Sequence, residues 1–298
     1  MTLPRWPHLK SPLLLIALSV LLAACSRVDL AYRNLDWLIP WQLNAYLNLN
    51  HAQKTWFMPR LQAHLEWHCS SELALYIDWL QGTEGLLAQA HPSATQLSEQ
   101  FAELDLALKR ITGEITPTAI ALLRSLNPSQ VADLYAALDA DNREDRQEFL
   151  EPPLATQISQ RATRMHKRLR PWFGRLNDAQ QARIAQWAQA AGEQNRLWLD
   201  NRLHWQTEFR AAVDARRSAD FPARLTRLLQ QRESFHDSRY RAAYSRSRQA
   251  LAELFSDLLA SADRKQREHL TARLHELRHD LARQLCAAPV TVQAGASR

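Results

Sequence analysis

Two pairs of histidines spaced one helical turn apart are the residues of this 298-residue chain best placed to do chemistry. His275-Glu276-Leu277-Arg278-His279 has the form His-Glu-x-x-His. On a helix that spacing offers two imidazoles to a zinc ion, with the glutamate as general base, so the implied reaction is metal-dependent hydrolysis. Several features weigh against it. At about 100° per residue, both histidines fall on the polar side of a helix whose apolar stripe is Leu270, Leu274, Leu277, Leu281 and Leu285. No Glu or His follows His279, and Asp280 is a poor third ligand. Ala282 and Leu285 stand where a longer zinc motif needs glycine and histidine, and Arg278 and Asp280 put charges beside the site. A hydrolase is therefore only a remote alternative. His64 and His68, with Glu66 between and Cys69 next, repeat the spacing. They read first as histidines that hydrogen-bond between helices and second as metal ligands. No Gly-x-Ser-x-Gly, phosphate loop or dinucleotide fingerprint occurs. The sequence reading is a chain without catalytic residues, metal or cofactor.

The cysteines carry a different chemistry. Arg5, His8 and Lys10 precede an apolar run from Leu13 to Ala24. The run is shorter than the roughly 20 residues of a membrane-spanning helix, and it has the make-up of a signal-peptide core. Its end, Leu22-Ala23-Ala24-Cys25, resembles the lipobox of bacterial lipoproteins. That resemblance implies removal of residues 1–24 and acylation of Cys25, with a diacylglyceryl thioether and an acylated amine of the palmitate kind. Several acyl chains make a stable anchor. Ser26, rather than aspartate, implies the outer membrane with the chain facing the periplasm. Cys69 and Cys286 remain, and an oxidising periplasm would let them pair. Two separate buried thiols are the alternative.

The elements that must hold these residues are helices. Only 6 residues are glycine, against 46% hydrophobic and 23% charged, and alanine, leucine, arginine and glutamine dominate. The expected fold is all-α, a multi-helix bundle or an elongated array of helical hairpins following the signal peptide. Breaks are expected at Pro40, Pro59, Gly82, Pro92, Pro117, Pro128, Pro152-Pro153, Pro171 and Pro222. The expected regions are 25–150, 151–286 and a flexible tail at 287–298. Leu49-Asn50-x-x-Gln53, Leu126-Asn127-x-x-Gln130 and Leu176-Asn177-x-x-Gln180 share one signal. The asparagine caps a helix, and the glutamine three residues on reaches back to it. This reads as repeated capping rather than as a structural repeat. Leu251, Leu254, Phe255, Leu258 and Leu259 form another apolar stripe, suited to packing inside the bundle.

Charge divides the chain. Residues 25–150 hold 9 Lys/Arg and 16 Asp/Glu, and residues 151–298 hold 26 and 15. Of the 37 basic residues, 32 are arginine, which forks onto carboxylate or phosphate. The basic half could pair with the acidic half, or meet an anionic glycolipid or an envelope protein. The candidate binding surface is Arg224, Arg227, Arg232, Arg239, Arg241, Arg246 and Arg248. Export excludes nucleic acid as its partner, leaving the membrane itself, through Cys25, as the first contact. Tyr32, Trp37, Trp41, Tyr46, Trp56 and Phe57 crowd the stretch after the anchor. They suit a bilayer interface or a protein core, and the core reading is preferred.

After the lipobox, Leu30-Ala31-Tyr32-Arg33-Asn34-Leu35-Asp36-Trp37-Leu38, then Trp41, Tyr46, Leu49 and Gln53, resembles a family of proteobacterial lipoproteins known only as a domain of unknown function. The likeness is best over residues 14–80. It implies an all-helical periplasmic lipoprotein and supplies no activity, so no catalytic residues carry over from it. A weaker resemblance is to the periplasmic Leu-Thr-x-x-Gln chaperones, whose threonine is replaced here by Asn127 and Asn177. That likeness implies a chaperone-like holdase. The sequence reading is thus a non-catalytic binding or scaffolding lipoprotein of the envelope, with the holdase as alternative.

Overall fold

The computed structural model describes residues 32–89 and 91–286. Cys25, the lipobox and the tail at 287–298 lie outside them. The fold is all-α, with no strand among the described residues. The α-helices are α1 (Leu35–Leu47), α2 (His51–Trp67), α3 (Leu73–Leu87), α4 (Ala94–Arg124), α5 (Pro128–Phe149), α6 (Leu154–Phe173), α7 (Asp178–Ala190), α8 (Gln194–Asp214), α9 (Phe221–Gln230), α10 (Ser238–Ala260) and α11 (Arg264–Ala282). A π-helical turn, His68–Glu72, joins α2 to α3 in one continuous rod, and a 3-10 turn, Arg232–Phe235, precedes α10.

The Leu-Asn-x-x-Gln signals start α2, α5 and α7, and each is a complete capping box. Asp263 and Gln266 form the same box at the start of α11. These four corners interlock in two pairs. Gln53 Nε2 donates to Gln130 Oε1 at 3.1 Å, and Gln130 Nε2 donates back to Gln53 Oε1 at 2.7 Å. Gln180 and Gln266 exchange the same bonds at 3.0 and 2.9 Å. Each amide also donates to backbone at its partner's corner: Gln53 to Ser125 O, Gln130 to Asn48 O, Gln180 to Leu258 O and Gln266 to Arg175 O. Asn48 takes a left-handed φ of 44°, which closes α1 and leaves its carbonyl in reach of Gln130. Helix pairing follows the same plan twice. In the first unit α1 packs on α5 and α2 on α4; in the second α6 packs on α11 and α7 on α10. The repeated signal is therefore more than local capping. It marks a four-helix unit that occurs twice.

Each unit has its own core. One gathers Leu47, Leu49, Phe57, Leu61, Leu122, Leu126, Val131 and Leu134 with Phe221, Leu225 and Leu228 of α9. The other gathers Leu169, Phe173, Leu176, Ile184, Leu254, Leu258, Leu274 and Leu281 with Leu73 and Leu80 of α3. Both draw on residues from either side of position 150. The rod α2–α3 and the 31-residue α4 run through both cores and hold the units together.

Several expected breaks are not breaks. Pro40, Pro59, Pro117 and Pro171 lie inside α1, α2, α4 and α6, and Gly82 lies inside α3. An interior proline costs a helix roughly 3 kcal/mol. Burial of Phe57 and Leu61 around Pro59, and of Thr116, Leu122 and Leu123 around Pro117, outweighs that local cost. Pro128 and Pro222 instead occupy first-turn positions, and Pro152-Pro153 does separate α5 from α6.

Candidate functional site

The zinc-like motif lies on the exposed side of α11, with His275 and Glu276 paired to arginines of the same helix. His275 Nε2 lies 2.9 Å from Arg278 Nη2, and Arg278 Nε donates to Glu84 at 3.0 Å. Glu276 takes Arg273 at 2.6 Å, while Leu274 and Leu277 are buried on the other side of the helix. A guanidinium aimed at one imidazole is the wrong charge beside a metal ligand. His64 and His68 part company although they are one turn apart. His64 bridges to α4, with Nδ1 at 2.9 Å from Glu114 and Nε2 at 2.8 Å from the Thr118 hydroxyl. His68 meets the phenols of Tyr32 at 3.0 Å and Tyr76 at 3.4 Å. Among the described residues no group of three or more His, Cys, Asp or Glu side chains is placed to hold a metal ion.

The π turn concentrates polar chemistry that spacing alone does not reveal. Its extra residue lets Cys69 and Glu72 both turn inward. Cys69 is bonded to Cys286, with Cα atoms 5.2 Å apart across 217 positions of sequence. The Cys286 amide also donates to Cys69 O at 3.3 Å. Glu72 is 2% exposed and accepts from Arg110 Nε at 2.8 Å. Burial pushes the Tyr32 phenol up to about 12 and lowers His68, so the imidazole stays neutral despite the nearby Glu72 charge. Tyr76 is raised by burial and then by Glu72. A groove of about 300 Å³ between α3 and α4 reaches Tyr76 and Arg110 but not His68. The cluster is thus arranged to fix the π turn and the disulfide.

Much of the basic half is engaged within the fold. Arg202 pairs with the buried Asp145, Arg210 with Asp139 at 2.5 Å, Arg248 with Asp105 and Arg278 with Glu84. Each joins the basic half to the acidic one. Arg161 and Arg216 are buried at helix ends, where Arg161 donates to Ala188 O and Gly192 O, and Arg216 to Leu126 O and Val213 O. The seven candidate arginines divide accordingly. Arg248 is held by Asp105 and Tyr244, Arg224 lies 4.0 Å from Asp220, Arg227 covers the Phe235 ring, and Arg241 donates to His236 O. Arg232, Arg239 and Arg246 are exposed, and among the described residues no carboxylate pairs with them. Arg239 and Arg246 are seven residues apart on α10 and share one face. On a different side of α10's first turns His236, Tyr240 and Tyr244 form an aromatic triad, with ring centres 4.8 to 6.1 Å apart. Tyr244 is exposed there, about 140° round the helix from Arg239 in the basic strip.

Residues 45–241 match the model of DUF6279, a family of unknown function. The chain belongs to that family. No curated protein and no solved structure matches it.

In this DUF6279 member the match takes in the Gln53–Gln130 corner pair, the π turn and the ion pairs of Arg202 and Arg210. It ends inside the basic strip and leaves out α11, Gln266 and Cys286. Sequence reasoning missed the Glu72–Arg110 pair and the histidine–tyrosine triad. The first carried no readable signal, because a one-residue insertion in a helix changes no composition. The second was legible as His236-x-x-x-Tyr240-x-x-x-Tyr244, a single stripe at helical spacing. The buried glutamines also bear on the chaperone likeness. Gln53, Gln130 and Gln180 are all buried, so in this chain these glutamines hold the fold together.

Proposed function

We propose that the protein is a lipid-anchored outer-membrane lipoprotein facing the periplasm, and that it acts without catalysis as a binding or scaffolding module. The observation that carries this reading is Arg239 and Arg246 on one face of α10, with Arg232 on the turn before it, all exposed and outside the ion-pair network that engages much of the basic half. Its partner carries carboxylates or phosphates, as an acidic envelope protein or an anionic glycolipid does. The Cys69–Cys286 disulfide supports an oxidising compartment. No helix among the described residues is long and apolar enough to cross a membrane, so the attachment in this reading is the lipid on Cys25. The test is photocrosslinking in intact cells from probes placed at Arg239 and Arg246. The reading expects a discrete adduct from both, and its mobility after protease treatment separates protein from glycolipid. No adduct from either position, together with wild-type envelope behaviour of an Arg232→Ser/Arg239→Ser/Arg246→Ser variant, would overturn it.

A further inference from the structure

Trp37 and Trp41 stand apart from the other tryptophans. They are 62% and 59% exposed, while every other tryptophan among the described residues is at least half-buried in the fold. Two of the others donate their N–H inward, Trp79 to Gln100 O and Trp205 to Leu228 O. Trp37 and Trp41 sit one turn apart on α1, stacked with ring centres 6.1 Å apart and planes within 14°. Neither indole N–H has a protein acceptor among the described residues. The inward side of the same helix is filled by Ile39, Leu43, Tyr46 and Leu47, so the indoles have no room in the core. This overturns the core reading for these two members of the aromatic cluster. It holds for Phe57, which is buried, and in part for Tyr46 and Trp56.

We infer that the Trp37–Trp41 face rests in the headgroup region of the bilayer that carries the lipid anchor. The inference deepens the proposed function and rests on its acylated Cys25. Six residues, 26 to 31, and hence seven Cα steps, lie between that cysteine and the start of the described chain. Fully extended they reach about 25 Å, so α1 is tethered within reach of the membrane surface. Indole is the side chain best matched to that surface, with an apolar ring and an N–H that seeks a headgroup oxygen. A lone acyl anchor lets a protein tumble. Two indoles in the interface fix which side faces the membrane, and hence where the α10 strip is presented.

The test uses the full lipidated protein reconstituted into phosphatidylethanolamine/phosphatidylglycerol vesicles, with and without brominated acyl chains. Bromine quenches only indoles at the bilayer. The wild type is expected to be quenched, and Trp37→Ser/Trp41→Ser to lose that quenching several-fold with an unchanged melting curve. Acylated wild-type protein that is not quenched, or a double variant quenched as strongly as the wild type, overturns the inference while leaving the anchor intact. Protein whose mass shows no acyl group on Cys25 instead removes the anchor, and the inference falls with it.

Discussion

The glutamines at the helix corners carry the most structure per side chain. Gln180 is fully buried and uses its whole amide: it accepts from Asn177 N and Gln266 Nε2 and donates to Leu258 O and Gln266 Oε1. Gln180→Ala leaves these partners dry and unpaired, which should cost about 2–4 kcal/mol. Urea unfolding of the variant measures it, and a loss below about 1 kcal/mol would mean that the corners are held by packing alone. His68 gives a second expectation. Burial holds its folded pKa below 6.5, so the unfolded chain takes up the proton first as pH falls. Stability is full above about pH 6.5 and drains away below it, until the folded imidazole also titrates. His236, lowered by its own burial, adds to the same trend. Melting temperature should fall between pH 7.5 and 5.5, and His68→Gln should flatten part of that fall. An equal slope in both proteins would show that the imidazole is not the group responsible.

Helices and their joints were unevenly legible in the sequence. Capping boxes at Asn50, Asn127 and Asn177 were readable because asparagine and glutamine at that spacing do one local job. Their pairing was not, since the bonds from Gln53 to Gln130 and from Gln180 to Gln266 span 77 and 86 positions. The fourth corner hid because Asp263 replaces asparagine and Ala262 replaces leucine. Prolines misled in the opposite direction: a local rule predicts a break at Pro59 or Pro117, but burial on both sides keeps the helix running. Trp37 and Trp41 were misassigned for a related reason, because composition marks an aromatic residue without saying which way its helix faces. The π turn's bond to Cys286 joins positions 217 apart, the longest-range bond named among the described residues. A closed loop of that length restricts the unfolded chain by up to about 5 kcal/mol. Cys69→Ala/Cys286→Ala should therefore melt at a lower temperature, with the loss greatest for α11 by hydrogen exchange. Unchanged melting would show that α11 docks through Leu270, Leu274, Leu277 and Leu281 without the bond.

Across the molecule, the division of charge organises much of the interior. The acidic half meets the basic half at Asp139, Asp145, Asp105 and Glu84, and the formal excess of +6 is carried by arginines elsewhere. Arg202→Leu takes the guanidinium away from the buried Asp145 carboxylate and should cost about 3–5 kcal/mol, whereas Arg239→Leu on the exposed strip should cost under about 0.5 kcal/mol. Comparing the two in denaturant melts separates arginines that build the fold from those left for a partner; similar losses would erase the distinction. The proposed roles of strip and tryptophan face both depend on the molecule's address. Intact mass of the protein extracted from the outer membrane without reductant tests that address most directly. The account predicts a chain that starts at Cys25, carries the mass of its acyl groups and lacks the two hydrogens of a reduced Cys69–Cys286 pair. An unprocessed, unacylated chain with both thiols free would contradict it.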